Sequence, residues 1–366
     1  MYRGGNRIVV IQVIARVNRG GTANWISVLI RDLRLLGHSV FLVAGNVEPD
    51  EIEDGIFHEF DGIRIDSLGR TVSPIKDFRA IKQLRLVLKT LRPDVINTHT
   101  FKAGLIGRIS SIGLPIRVIH TYHGHLLYGY FSPLQVRIYV GLERFLGLLT
   151  DAFIVVGNTV KNDLIDLGIG RDKSFNVIYP AVRMIEFSNR TVLRDRYNLG
   201  KNDYVVGWLG RLTAIKRPEL FLELATRNPN FKFLIGGDGD LRDTVMESLP
   251  KNVTYVGWVK PGDFWPACDI GAITSANEGL PTSLIEAQLA GIPSVGFHVG
   301  SINEVILNNK TGFLVTNIED FSERLVALDS DPSEVTRLAL ESQEFSQSRF
   351  DPKIFINKHI EIYEDS

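Results

Sequence analysis

The stretch FSNRTVLRDRYNLGKND (residues 187–203) is a mainly polar interlude. The run YVVGWLG (204–210) that follows it restarts a pattern the chain has already completed once. Upstream, short runs rich in Val and Ile recur at RIVVIQVIA (7–15), HSVFLVAG (38–45), DVINTH (94–99), IRVIHTYH (116–123), AFIVVG (152–157) and FNVIY (175–179), with helix-like segments between most of them. Downstream the alternation resumes with FKFLIGG (231–237), NVTYVGW (252–258), DIGAITS (269–275) and PSVGF (293–297). Apolar strands alternating with helices signify a parallel sheet covered on both faces. The chain therefore reads as two α/β domains, with a boundary around 180–201. The halves are alike in pattern rather than in residues.

Length agrees: 366 residues exceed one ordinary core and favour two domains with a cleft between them. Hydrophobic residues make up 44% and charged residues 23%, a globular composition without a low-complexity tract. The single cysteine, Cys268, excludes an internal disulfide and fits a reducing compartment, so the cytosol is the default expectation. The apolar run 8–15 is too short to span a bilayer and has no small-residue cleavage site after it, so it reads as a buried strand. The near-neutral net charge hides an asymmetry, a formal +7 over residues 1–183 against −8 over 184–366.

In open parallel sheets, ligands bind beyond the carboxyl ends of the strands. Gly20-Gly21-Thr22 follows the first strand, and Gly236-Gly237-Asp238-Gly239 follows FKFLI. The stretch EGLPTSLIEAQLAG (278–291) carries two glutamates eight apart. Pro281, Gly291 and Pro293 predict a helix from about 281 to 290, with Glu278 just before it and Glu286 within it. The amides of Gly279, Leu280, Thr282 and Ser283 and the positive end of the dipole would then favour an anion there. A nucleotide sugar, whose diphosphate lies between two polyols, matches a carboxylate on each side, because carboxylates accept paired hydrogen bonds from vicinal hydroxyls. The alternative is a capping glutamate plus a surface glutamate. Gly210-Arg211-Leu212-Thr213-Ala214-Ile215-Lys216 puts two cations five apart at a strand end, where they could neutralise a diphosphate leaving group or simply be solvated. The glycine cluster could admit a phosphate or form a turn.

In the order GGT (20–22), HTYHGH (120–125), GRLTAIK (210–216), GGDGDLR (236–242) and SANEGLPTSLIEA (275–287), these motifs give the chain its resemblance, from Arg7 to about Glu364, to the retaining glycosyltransferases of the large family 4. The resemblance implies a GT-B fold, two Rossmann-like parallel-sheet domains facing each other across a cleft. Residues 1–183 would bind the acceptor and 184–345 the nucleotide sugar, while the segment 346–366 would pack back on the first domain. It further implies that Arg211 and Lys216 bind the donor diphosphate, that Glu286 holds the ribose and that Glu278 lies against the donor sugar. Trp258 and Val259 would sit beside the base, with Gly20 and Gly21 near the diphosphate or acceptor and His123 near the reacting carbon. Gly210, Gly237, Asp238, Gly239, Gly279, Leu280 and Thr282 complete the implied donor site.

No metal site is expected, since there is no Asp-x-Asp in the place expected of metal-dependent transferases, and no cofactor beyond the nucleotide-sugar substrate. The resemblance implies front-face attack with retention, the leaving phosphate taking the acceptor proton. The expected function is hexosyl transfer to a glycan or lipid-linked sugar in surface polysaccharide or glycolipid synthesis. A sugar-nucleotide epimerase of the same architecture and a non-catalytic sugar-nucleotide-binding protein are the alternatives. Three departures from the family pattern bear on loop geometry: Arg217 where glycine is common, Pro180-Ala181-Val182 without a glycine before the valine, and Gly300-Ser301 in place of a glycine pair.

The segment 73–94 spaces Lys76, Arg79, Lys82, Arg85, Lys89 and Arg92 by threes and fours, with Phe78, Ile81, Leu84, Leu88 and Leu91 expected on another, buried face. It reads either as an ordinary surface helix or as peripheral contact with an anionic membrane at the inner face. Nucleic acid is not expected as a partner.

Overall fold

The computed structural model describes residues 7–18, 20–48, 51–69, 73–124, 133–183 and 185–365. His125, the third histidine of HTYHGH, lies outside them. The chain divides into two compact units, Met1–Ala181 with Pro352–Ser366, and Val182–Asp351. The sequence reading placed the last segment at 346; residues up to Arg349 instead complete a helix of the second unit.

The first unit runs β1 (Val9–Arg16), α1 (Gly21–Leu35), β2 (Ser39–Gly45), α2 (Ile56–Glu59), β3 (Ile63–Arg64), α3 (Pro74–Leu91), β4 (Val95–His99), α4 (Phe101–Ser110), β5 (Arg117–Tyr122), α5 (Pro133–Gly147), β6 (Ala152–Val155), α6 (Asn158–Asp166) and β7 (Ser174–Val177). Its seven strands are parallel, in the order β3-β2-β1-β4-β5-β6-β7. The second unit runs α7 (Arg190–Arg196), β8 (Val205–Leu209), α8 (Pro218–Arg227), β9 (Lys232–Gly236), α9 (Arg242–Glu247), β10 (Val253–Tyr255), β11 (Ile270–Ile273), α10 (Thr282–Leu289), β12 (Ser294–Phe297), β13 (Gly312–Val315), α11 (Ile318–Ser330) and α12 (Pro332–Arg349). Its six strands are also parallel, in the order β10-β9-β8-β11-β12-β13. The last helix, α13 (Pro352–Glu364), belongs to the first unit.

Each strand run is apolar because it is covered on both faces. In the first unit the pleat sorts the side chains. Ile11, Val13, Ile96 and Val118 face one way, into a core shared with Ala80, Leu84 and Leu88 of α3 and Ala103 and Ile106 of α4. The register pairs Gln12 with Asn97 and His99 with Thr121, so these polar residues share the opposite face. That face meets α1 and α13, where Trp25 packs edge-on against Phe355 with ring centroids 4.7 Å apart. In the second unit Val206, Trp208, Phe233, Ile235 and Phe321 form one core, and Leu234, Phe264, Trp265 and Cys268 lie in another.

One helical face differs from expectation. Phe78 was placed among the buried residues of α3 but is 58% exposed. The buried positions are Asp77, Ala80, Leu84 and Leu88, and Asp77 holds its inward place through an ion pair with the buried Lys102 of α4. Phe78 is left on the cationic side, with the Lys82 ammonium 4.4 Å from its ring centroid.

Candidate active site

Every site residue read from the sequence lies beyond the carboxyl end of a strand in its own sheet. In the first unit, Gly20 precedes α1, Gly21 begins it, and His123 follows β5. In the second, Gly210 and Arg211 follow β8, Gly237, Asp238 and Gly239 follow β9, and Trp258 and Val259 follow β10. Glu278, Gly279 and Leu280 form the loop between β11 and α10, Thr282 opens α10, and Glu286 sits in its second turn. The helix starts one residue later than predicted because Pro281 is extended and serves as its N-cap.

Loop packing positions the second-unit residues. The amides of Gly210 and Leu212 donate to the carbonyls of Gly236 and Asp238, and the Gly237 amide donates to Gly257. A Cβ on Gly237, at φ +128°, would lie 1.8 Å from the Gly210 carbonyl oxygen. Close approach of two backbones thus accounts for this glycine without any ligand. It also brings the loops bearing Arg211 and Trp258 to the same strand ends. Both of those side chains are exposed.

Lys216 occupies a 3-10 turn (Ala214–Lys216), and Arg217 after it takes the left-handed conformation at φ 49°, ψ 55°. That explains why glycine suits this position in the family pattern. The Thr274 hydroxyl holds the turn by donating to the carbonyls of Lys216 and Arg217, at 3.0 and 2.9 Å, while accepting from the Trp208 indole N–H. Lys216 Nζ then donates to Glu278 Oε1 at 2.5 Å, and the Ser275 hydroxyl reaches the same oxygen at 2.5 Å. Glu278 is buried, and the Ser301 amide donates to its backbone carbonyl. Gly300 stands where a Cβ would lie 2.0 Å from that carbonyl oxygen, so the second glycine of the family pair is dispensable here but the first is not. Glu286 is half-buried, and desolvation pushes its carboxyl up to about 8. At neutral pH the side chain is therefore largely the protonated acid, whose carbonyl oxygen can still accept from a hydroxyl while its O–H donates.

In the first unit, His123 Nε2 lies 2.8 Å from His99 Nδ1, and His99 Nε2 lies 2.7 Å from Gln12 Oε1. Desolvation holds His99 well below the usual imidazole range, with the neighbouring His123 and His359 adding to the shift, and lowers His123 to about 3. Both rings are neutral at physiological pH. Trp25 packs edge-on to His123 at 5.2 Å, and α13 contributes Phe355 and His359 to the same cluster. Gln12, Asn97 and Tyr363 are not among the residues singled out from the sequence. For Gln12 and Asn97 the signal was present: polar residues in the middle of apolar strand runs, which burial permits only when they find partners.

Among the described residues no group of three or more His, Cys, Asp or Glu is arranged to hold a metal ion, and no helix is long and apolar enough to cross a membrane.

Residues 19–184 match the family described as Glycosyltransferase Family 4, and residues 203–331 match Glycosyl transferases group 1. A UDP-Gal:alpha-D-GlcNAc-diphosphoundecaprenol alpha-1,3-galactosyltransferase of Escherichia coli is 28% identical over 288 residues, covering 73% of this chain and 74% of its own. The O-antigen biosynthesis glycosyltransferase WbnH of E. coli is 28% identical over 246 residues, 67% of this chain and 69% of its own. The solved structure of Anabaena HepE in complex with UDP-glucose superposes with a TM-score of 0.81 at 19% identity, covering 98% of this chain and 100% of that one. This last likeness concerns the fold.

Proposed function

Because the chain belongs to the group 1 glycosyltransferases of family 4, we propose that it moves a hexose from a nucleotide-diphosphate sugar to a hydroxyl of a glycan or lipid-linked sugar. We place the reaction in surface polysaccharide or glycolipid synthesis, with retention at the anomeric carbon and without a metal ion. The observation that carries this reading is the buried Glu278 held by Lys216 and Ser275 beside the N-terminus of α10. It joins an anion-favouring helix end, a cation and two carboxylates within one set of neighbouring loops. The named relatives, a galactosyltransferase acting on a diphosphoundecaprenol-linked sugar and an O-antigen glycosyltransferase, support the acceptor class.

In this reading the first-turn amides of α10, Arg211 and Lys216 neutralise the charge that develops on the departing diphosphate, the function a metal ion has in other transferases. Glu286 accepts from the ribose hydroxyls, and Glu278 orients the transferred sugar. Neutral His123 contacts that sugar near the reacting carbon, and the leaving phosphate takes the proton of the incoming hydroxyl. Trp258 and Val259 sit beside the base. A proton NMR time course with UDP-, GDP- and ADP-hexoses, alone and with lipid-linked sugars, tests the proposal. Nucleotide release accelerated by an acceptor supports it, whereas epimerised but intact donor would replace it with the isomerase reading.

Peripheral contact with an anionic membrane, at the inner face and on the cytoplasmic side, is part of the proposal. Its support is the exposed Ile75, Phe78 and Leu86 among Lys76, Arg79, Lys82 and Lys89 on α3, together with exposed Leu134, Ile138 and Phe145 on α5 and Leu148 just beyond it. Arg85 is engaged with the carbonyls of Ser110 and Ile112 and is not counted among the lipid-facing cations. Flotation with anionic vesicles, abolished by salt or absent with neutral lipid, tests this part.

A further inference from the structure

The polar face of the first sheet holds a continuous chain of hydrogen bonds that runs through the last helix. Thr121 Oγ1 donates to Asn97 Oδ1 at 2.8 Å, and Asn97 Nδ2 donates to the Tyr363 hydroxyl oxygen at 2.9 Å. That same oxygen accepts from Gln12 Nε2 at 3.1 Å. Gln12 Oε1 faces His99 Nε2, and His99 Nδ1 faces His123 Nε2. Apart from the half-buried His123, every member is buried, so none can exchange its partner for water without opening the sheet face.

Donors and acceptors in such a chain constrain one another. Because Tyr363 presents an acceptor to Gln12, the amide turns its nitrogen toward α13 and its oxygen toward His99. An amide oxygen only accepts, so the proton of neutral His99 resides on Nε2 and its Nδ1 carries a lone pair. The short contact to that lone pair then requires the proton of neutral His123 to reside on Nε2. The remaining ring nitrogen of His123, Nδ1, is left as an acceptor. We propose that Tyr363, from the C-terminal helix, is a positioning residue that fixes the tautomer of His123 through Gln12 and His99, so that His123 meets a substrate hydroxyl as a hydrogen-bond acceptor.

The contact of His123 with substrate rests on the function proposed above; the tautomer itself does not. Packing against Trp25 holds the ring in place from another side, so the relay sets the ring's proton rather than its position. Nothing in the sequence motifs points to Tyr363, which lies 240 residues from His123 and reaches the site only because α13 belongs to the first unit.

The test is a long-range proton–nitrogen correlation spectrum of the full chain labelled with 15N-histidine, at pH 7.5, in wild type, Tyr363→Phe and Thr121→Val, with His123→Gln and His99→Gln to assign the signals. The wild type is expected to show both His99 and His123 as single Nε2–H tautomers. Tyr363→Phe removes the acceptor that orients Gln12, so both rings are expected to become tautomer mixtures. Thr121→Val leaves the Tyr363–Gln12 contact and is expected to keep the wild-type signature. A wild-type His123 protonated on Nδ1, or a Tyr363→Phe spectrum with His123 unchanged, overturns the proposal. Both readings need no substrate, so they stand or fall apart from the transferase assignment. With an active donor in hand, kcat is expected to fall roughly five- to tenfold in Tyr363→Phe, the loss of about one hydrogen bond, while the donor KM stays within about twofold.

Discussion

Glu286 shows how a single residue trades stability for a site. Its carboxyl is raised by burial alone, so the native state holds a proton that the unfolded chain releases above its ordinary value near 4.5. The cost is absent below pH 4.5, grows as pH rises, and is complete above about 8. Glu286→Gln is therefore expected to be more stable than wild type at pH 8 by about 1 to 3 kcal/mol, discounted because the side chain is half-buried, and to lose that advantage by pH 5. Urea midpoints of both proteins at the two pH values check the prediction, and equal differences at both would refute it. Lys216 is the opposite case. Lys216→Met removes the cation from Glu278, leaving a buried carboxylate with Ser275 as its remaining side-chain donor, so both stability and transfer are expected to fall. A decrease of about 10²- to 10³-fold in kcat/KM for the donor is expected, as for loss of one oriented charge-stabilising donor. Steady-state kinetics with the donor found by NMR measure it.

At the scale of elements, the sequence was most legible where one physical pressure acted alone. Period and β-branching located the strands, and proline with glycine bracketed α10 to within a residue at each end. Phe78 was misplaced because helical spacing ranks apolar residues inward, whereas on α3 a charged pair between Asp77 and Lys102 took the inward position. Tertiary pairing of that kind leaves no local trace. The glycines after β9 were read as a turn or a phosphate loop, and Gly237 proves to be required by backbone packing against Gly210. Arg217 was legible as a departure from pattern, and its left-handed backbone gives the departure an energetic consequence. Conformations of this type cost a non-glycine residue roughly 1 kcal/mol or more, and a β-branched side chain worsens the strain. Arg217→Gly is expected to equal or exceed wild type in stability and Arg217→Val to fall about 1 to 2 kcal/mol below it. Denaturant unfolding ranks the three proteins; a glycine variant less stable than the valine variant contradicts the argument.

The whole molecule distributes its titratable burden unevenly between the two units. His99, His120 and His359 are fully buried, all belong to the first unit, and all are held below the usual imidazole range mainly by desolvation, His359 at about 4. A histidine whose native value lies below its unfolded value near 6.5 binds its proton preferentially in the unfolded chain once pH drops under 6.5. The stability lost grows as pH falls and levels off only below the native value. At pH 5 each such histidine contributes a loss of about 2 kcal/mol, so these three together cost the first unit up to about 6 kcal/mol, to which the lowered His123 adds. The second unit has no fully buried histidine among its described residues, and Glu286 makes it gain slightly over the same interval. Acidification from pH 7.5 to 5 is therefore expected to unfold the first unit selectively. Hydrogen exchange read peptide by peptide should show strands β1, β4 and β5 losing protection together with α13, because Tyr363 and Phe355 are anchored on that same sheet face, while β8, β9 and β11 keep theirs. Loss of protection that begins in the second unit, or that spares α13 while β1 opens, would show that the buried imidazoles do not govern acid stability. The sheet face that orients His123 would thus also be the part of the chain most sensitive to acid.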